Sequence, residues 1–142
     1  MKRKAEIMRR SESRENIFKL LFRTEFNDVS EMPEQMQFYF DVDVDGDAIK
    51  DEDRDYIVAR ESAILEKLPE IDAAIAKKAT GWDIERFGKV DLAIVRLAVY
   101  EIVYDDDIPT SVAINEAVEL AKKYGRDESA GFVNGVLAKF AK

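Results

Sequence analysis

The sequence contains no cysteine and no histidine among its 142 residues. Without cysteine, the chain has no disulfide, no thiolate nucleophile and no zinc site built on sulfur. Without histidine, it has no Ser-His-Asp triad, no Cys-His dyad and no imidazole metal ligand. Because histidine is the commonest general acid–base group in enzymes, we expect that the protein is not an enzyme and that it uses no cofactor.

Long apolar runs are missing as well. No stretch approaches the roughly 20 apolar residues that a membrane helix needs, and the basic N-terminus is not followed by the apolar segment of a secretory signal. The composition is instead globular, with 46% hydrophobic and 37% charged residues. We therefore expect residues 1–142 to form a single cytoplasmic domain without a membrane partner.

Charge is distributed unevenly along the chain, whose net charge is −8. Residues 1–23 carry eight basic and three acidic side chains, residues 25–72 carry sixteen acidic and four basic ones, and residues 73–142 are close to neutral. A cationic leading segment on an acidic body favours an anionic partner for that segment. The candidate contacts are the six bases nearest the N-terminus: Lys2, Arg3, Lys4, Arg9, Arg10 and Arg14.

Helical periodicity dominates the rest of the sequence and predicts an all-α bundle of six or seven helices. The predicted segments are 12–26, 33–40, 54–68, 69–79, 89–104, 110–124 and 128–140. Segment 89–104 is apolar on nearly every face, which is typical of a central, buried helix. Ser11 and either Thr110 or Ser111 are predicted N-caps, and Gly125 is predicted to end the segment before it.

An acidic segment suggests a different function. Residues 41–52 read DVDVDGDAIKDE and match the EF-hand calcium loop at Asp41, Asp43, Asp45, Gly46 and Glu52. However, Ala48 stands where a branched apolar residue normally pairs the loop with a second one, and the sequence has no second loop. We favour a solvated acidic connection and keep a calcium-binding helical protein as the alternative. A Mg²⁺-dependent hydrolase would require the acids of residues 41–55 to converge in a pocket.

Three stretches carry a more specific set of motifs. The first is Arg14-Glu15 at the opening of a helix, with Leu21 seven residues after Arg14. The second is VDLAIVRLAVYEI over residues 90–102, and the third combines VAINEAVELAK over 112–122 with FVNGVL over 132–137. In this combination the chain resembles the NusB family of bacterial transcription antitermination factors. The likeness runs through the chain in order, except over its acidic middle.

The resemblance implies an all-helical RNA-binding protein with two helical halves. Members of this family pair with NusE, a small-subunit ribosomal protein, and together they bind the boxA element of nascent RNA. The pair helps to assemble the RNA polymerase complex that resists termination, especially on ribosomal RNA operons. The implied partners are therefore boxA-type single-stranded RNA, NusE and that antitermination complex, with a monomer and a homodimer both left open.

The family pattern adds candidate residues to the basic ones. Phe22 stands where the family often has a tyrosine, so it is a candidate for stacking on an RNA base as well as for core packing. Phe132 matches a position on the family's RNA and partner surface, and we count it with the RNA contacts. The candidate NusE contacts are Asp91, Arg96 and Glu128.

The start of the first helix departs from the family pattern. Some relatives have a continuous arginine run there, whereas Ser11, Glu12 and Ser13 interrupt it in this sequence. Because an acid beside a phosphate track weakens that track, we expect modest RNA affinity in the absence of NusE.

Overall fold

The computed structural model describes residues 10–43, 49–79, 81 and 84–141. Within these residues the chain forms seven α-helices with short 3₁₀ or π-helical turns, and no strand. The helices are α1 (Arg10–Phe22), α2 (Met32–Phe38), α3 (Asp51–Glu66), α4 (Leu68–Lys78), α5 (Lys89–Tyr104), α6 (Thr110–Tyr124) and α7 (Ser129–Ala138). None of these described helices has both the length and the apolarity that crossing a membrane requires. The prediction of an all-α fold is confirmed.

The chain divides into two compact units, Met1–Leu65 (unit 1) and Glu66–Lys142 (unit 2). Unit 1 contains α1, α2 and all but the last residue of α3. Its apolar residues recur three or four positions apart, which puts them on one face of each helix. The fully buried ones include Ile17, Leu20, Leu21, Met32, Ile57 and Ile64. A hydrogen bond of 2.5 Å from the Tyr39 hydroxyl to Asn16 Oδ1 joins the turn after α2 to α1.

Unit 2 is organised around α5, which contacts α4, α6 and α7. Burial covers most of its faces, and its buried apolar residues are Leu92, Ala93, Ile94, Val95, Leu97, Ala98 and Val99. The prediction of a central, buried helix over residues 89–104 is confirmed. Because α5 is covered on most sides, the polar residues that remain on it have positions fixed by the neighbouring helices.

Two predicted helix caps are wrong. Ser11 lies inside α1, which already includes Arg10. The N-cap of α6 is Pro109, with φ −60° and ψ 142°, and α6 has no side-chain cap hydrogen bond. Proline fixes φ near −65°, so an extended Pro109 presents Thr110 as the first helical residue and neither Thr110 nor Ser111 caps the helix.

The acidic segment 41–52 is only partly described. Asp41 lies in the π-helical turn Tyr39–Asp43, and Glu52 lies in the first turn of α3. Asp45 and Gly46 lie outside the described residues. The carboxylate of Asp41 is 4.0 Å from the guanidinium of Arg54, and the described residues contain no cluster of acidic side chains arranged to hold a metal ion. Calcium binding by this segment stays a prediction.

Glu61 on α3 is a fully buried acidic residue. Its exposed fraction is 0%, and neither carboxylate oxygen has a hydrogen-bond partner among the described residues. Burial raises the pKa of Glu61 well above its ordinary value, because desolvation disfavours the charged carboxylate. The side chain therefore stays neutral over a pH range in which an exposed glutamate is ionised.

We expect the free energy of unfolding to fall as the pH rises above the ordinary glutamate pKa of about 4.3. Below that pH, Glu61 is protonated in both states. At higher pH the unfolded chain releases this proton while the folded chain retains it, and the decrease in stability is complete once the raised pKa is passed. Glu61→Gln should flatten this dependence, as measured by urea unfolding at acidic and alkaline pH. Glu66→Gln changes an exposed glutamate at the end of the same helix and should leave the pH dependence unchanged. If both substitutions changed the pH dependence equally, the burial of Glu61 would not be its cause.

Candidate nucleic-acid interface

The cationic start of the chain is described from Arg10 onward, so Lys2, Arg3, Lys4 and Arg9 lie outside the described residues. Arg10 is exposed, and its guanidinium carbon lies 4.4 Å from the centre of the Tyr56 ring on α3. Arg14 is buried, with an exposed fraction of 8%. Arg14 therefore offers a phosphate far less surface than the exposed Arg10 does.

A second guanidinium also lies near the ring of Tyr56. Arg60, one turn further along α3, has its guanidinium carbon 5.6 Å from the ring centre, and its Nη2 lies 3.4 Å from the phenolic oxygen. Tyr56 and Arg60 are both half-buried. Sequence reasoning did not identify either residue, because no local pattern places α3 beside the start of α1.

An aromatic row follows α1 towards its C-terminal end. The ring centres of Phe18 and Phe22 are 6.5 Å apart, and those of Phe22 and Phe26 are 5.3 Å apart in an edge-to-face arrangement. Exposure increases along the row: Phe18 is buried, Phe22 is half-buried and Phe26 is 63% exposed. Phe22 thus takes part in packing with its neighbours, and Phe26 offers the larger open ring surface.

In unit 2, Asp91 lies in the first turn of α5 and is half-buried. A Cβ atom built on Gly88, just before this helix, would lie 3.8 Å from Asp91 Oδ2 and 3.7 Å from Arg126 Nη2. A carboxylate and a guanidinium therefore flank one backbone position, which brings the start of α5 to the connection between α6 and α7.

Phe132 and Glu128 lie close to the same connection. The Phe132 ring is half-buried and packs edge-to-face on Phe87, with ring centres 4.9 Å apart. Glu128 is exposed at the N-cap position of α7, and its carbonyl oxygen accepts a 3.1 Å hydrogen bond from the Phe132 amide. Since Phe87 directly precedes Gly88, these contacts place Asp91 and Phe132 in one neighbourhood of unit 2.

Close packing fixes the path of the connection itself. Gly125 ends α6 as predicted, and a Cβ atom there would lie 2.5 Å from the Ser129 side chain. The Ser129 hydroxyl oxygen is buried and accepts a 2.9 Å hydrogen bond from the Arg126 amide. Only glycine fits at position 125 without movement, and this tight turn positions Arg126 and Glu128.

Arg96 occupies a different face of α5. Its Nε and Nη2 donate to the two carboxylate oxygens of Asp72 on α4, at 2.9 and 2.8 Å. The Arg96 side chain is 13% exposed and that of Asp72 is 34% exposed. Five residues of helix separate Arg96 from Asp91 by about 140° around the axis, so the structure does not bring these two candidate partner contacts together.

We expect the Arg96–Asp72 pair to stabilise unit 2, because two parallel charge-assisted hydrogen bonds form in a partly dry environment. A double-mutant cycle of Arg96→Met and Asp72→Asn, followed by urea unfolding, should give a coupling energy of about 1–2 kcal/mol. The same cycle on the exposed pair Lys122 and Glu119, whose charged atoms are 3.4 Å apart, should give at most a few tenths of a kcal/mol. Equal coupling energies in the two cycles would show that the partly buried, bidentate geometry of the Arg96–Asp72 pair adds no stability beyond that of an exposed pair.

Comparison with known proteins identifies the family. The NusB family model matches residues 11–142. The chain belongs to the NusB family. It is 61% identical to the transcription antitermination protein NusB of Agathobacter rectalis, over 94% of this chain and 100% of the relative. It is 53% identical to the protein of the same name from Lachnoclostridium phytofermentans, over 93% and 98% of the two chains.

Comparison with solved structures supports membership of this family. NusB of T. maritima matches with a TM-score of 0.79 and 33% identity, covering 94% of this chain and 91% of that one. A chain in the crystal structure of a plectonemic RNA supercoil matches with a TM-score of 0.76 and 26% identity, covering 94% of each. The chain is therefore an all-α NusB-family transcription antitermination factor and not an enzyme, as the sequence predicted.

Proposed function

We propose that this NusB-family chain binds boxA-type single-stranded RNA together with NusE, and that the pair acts in the RNA polymerase antitermination complex in the cytoplasm. The observation that carries the proposal is the family match over residues 11–142. The charge distribution supports it independently, because a cationic leading segment on an acidic chain favours an anionic partner.

The RNA contacts are proposed on unit 1. Arg10 binds a phosphate through the N–H groups at the edge of its guanidinium, and Lys2, Arg3, Lys4 and Arg9 add further phosphate contacts. Phe22 and the more exposed Phe26 provide ring surface on which single-stranded bases stack. For Arg14 we propose a supporting role, because its 8% exposure leaves little surface for a ligand.

The NusE contacts are proposed on unit 2. Asp91 and Glu128 supply negative charge near the start of α5 and α7, which suits a basic ribosomal protein. Arg96 takes part indirectly, because its bidentate pair with Asp72 holds α4 against α5. Phe132 remains a proposed RNA contact through the part of its ring that Phe87 leaves uncovered.

For RNA binding, we expect Arg10→Gln to weaken the affinity for boxA-type RNA and to reduce the slope of log affinity against log salt by about 0.7 for each phosphate that the side chain neutralises. Fluorescence anisotropy with the chain and NusE, at several salt concentrations, measures both quantities. Lys122→Gln removes one exposed positive charge from α6 and is the matched control, expected to leave the slope unchanged.

Arg14→Gln completes this experiment. We expect it to lower the free energy of unfolding, because it truncates a buried side chain, while changing the salt slope less than Arg10→Gln does. If Arg10→Gln and Lys122→Gln reduced the slope equally, general electrostatic attraction would explain the binding and the proposed site would be wrong.

For NusE binding, we expect Asp91→Asn to weaken the affinity of NusE for the chain by roughly 10-fold or more, the cost of removing a charge-assisted hydrogen bond. Isothermal titration calorimetry without RNA measures it. Asp106→Asn makes the same chemical change in the exposed turn after α5, about 20 Å away along the helix, and should have no effect. Equal decreases in affinity for the two variants would rule out a local contact at Asp91.

A further inference from the structure

Arg126, in the connection between α6 and α7, is an exposed residue that sequence reasoning did not identify. Its backbone is held by Ser129: the Arg126 amide donates to the Ser129 hydroxyl oxygen, and the Arg126 carbonyl oxygen accepts from the Ser129 amide, each at 2.9 Å. Ser129 is itself buried, with an exposed fraction of 2%. The Arg126 side chain therefore extends into solvent from an ordered backbone, which reduces the entropy that binding a partner would cost.

Asp91 of α5 lies on the other side of Gly88 from Arg126. A Cβ atom built on Gly88 would be 3.7 Å from Arg126 Nη2 and 3.8 Å from Asp91 Oδ2, so one point beside the backbone lies within contact distance of both charges. Among the described residues, the two side chains form no hydrogen bond or ion pair, either with each other or with a third residue. A guanidinium donor and a carboxylate acceptor thus lie side by side, and neither is occupied by the part of the chain that the structure describes.

The space between these two groups is open because residue 88 has no side chain. The φ of −63° and ψ of 150° at Gly88 suit any residue, and the nearest atom beyond the adjoining residues would lie 3.7 Å from an added Cβ. Neither backbone strain nor a clash therefore requires glycine at this position. A methyl group there would touch both charged groups and fill the space through which a ligand reaches them together.

The charges around Arg126 favour a protein ligand over RNA. The exposed acids Asp127 and Glu128 follow Arg126 directly, and Asp91 lies across from it, whereas Arg126 and Lys89 are the described bases beside them. The phosphates of an RNA strand would meet three carboxylates and two bases here. A protein segment carries N–H donors for a carboxylate and oxygen acceptors for a guanidinium on the same backbone, so it can satisfy both kinds of group at once.

We propose that Arg126 and Asp91 together bind one segment of NusE, which accepts a hydrogen bond from the guanidinium and donates one to the carboxylate in the space that Gly88 leaves open. This inference rests on the proposed function, since it takes NusE as the partner of this surface. It adds a positive contact to the negative ones already proposed, and arginine is among the residues that contribute most to the affinity of protein interfaces.

The test measures the affinity of NusE for the full chain by isothermal titration calorimetry without RNA. Arg126→Gln should weaken binding by about 10-fold, because it removes a charge-assisted hydrogen bond. Lys139→Gln is the matched control. It also removes one exposed positive charge from unit 2, but Lys139 follows the far end of α7, about 15 Å along that helix from its start, and the affinity should not change.

Gly88→Ala tests the geometry without changing any charge. The added methyl group should weaken NusE binding several-fold by filling the space beside Arg126 and Asp91, and urea unfolding verifies that the variant is folded. Gly135→Ala makes the same chemical change on α7, where an added Cβ meets nothing within 4 Å, and should leave the affinity unchanged. If Gly88→Ala binds NusE as tightly as wild type, no segment enters this space and the inference is wrong.

The remaining outcomes separate this inference from the proposed function. If Asp91→Asn weakens NusE binding and Arg126→Gln does not, the inference is wrong and the proposed function stands. If Arg126→Gln and Lys139→Gln weaken binding equally, general electrostatic attraction explains the loss and the inference is wrong. If Arg126→Gln leaves the NusE affinity unchanged but reduces the salt slope of RNA binding, Arg126 contacts RNA and the inference is also wrong. If the wild-type chain fails to bind NusE, both fail together.

Discussion

The constraint on which this molecule depends is that a chain with a net charge of −8 must keep positive charge accessible to an anionic ligand. If every arginine of unit 1 were paired with a nearby carboxylate, little attraction for RNA would remain. Several of them lie over aromatic rings: Arg10 and Arg60 over Tyr56, Arg23 over Tyr39, and Arg54, which also faces Asp41, over Phe40. A ring orients a guanidinium without neutralising it, so the contact with Tyr56 holds Arg10 in place and leaves it exposed and charged in an acidic chain.

In unit 2, the packing of an apolar helix determines where a few polar groups lie. The burial of α5 fixes its rotation, and its polar residues then point in set directions. Arg96 donates two hydrogen bonds to Asp72 of α4, whereas Asp91 lies beside Gly88 and Arg126. The tight turn at Gly125 brings Glu128 and Phe132 of α7 to the same end of the unit. Polar residues on one helix are therefore placed differently: Arg96 supports the packing of α4 on α5, whereas Asp91 stays partly exposed, where we propose that it contacts NusE.

The sequence predicted the helices, which local periodicity determines, but it did not predict the contacts between residues that are distant in the chain. All seven helices were anticipated, with ends correct to within a few residues, because apolar spacing directly reflects the buried face of a helix. The Arg96–Asp72 pair, the contact of Arg10 with Tyr56 and the burial of Arg14 depend instead on contacts between helices. A basic residue in an Arg-rich segment looks the same in sequence whether it is exposed like Arg10 or buried like Arg14. The sequence missed Pro109 as the N-cap of α6 for a local reason. Threonine is preferred at N-caps over proline, but the backbone of Pro109 is extended and Thr110 is already the first residue of the helix.

The contact between Arg10 and Tyr56 of α3 also bears on the interruption of the basic segment by Ser11, Glu12 and Ser13. Glu12 is exposed in the first turn of α1, so an opposing charge lies within the basic segment. The exposed guanidinium of Arg10 lies over the Tyr56 ring of α3. Its orientation therefore depends on the packing of α3 beside α1, and hence on the folded state of unit 1 rather than on the leading segment alone.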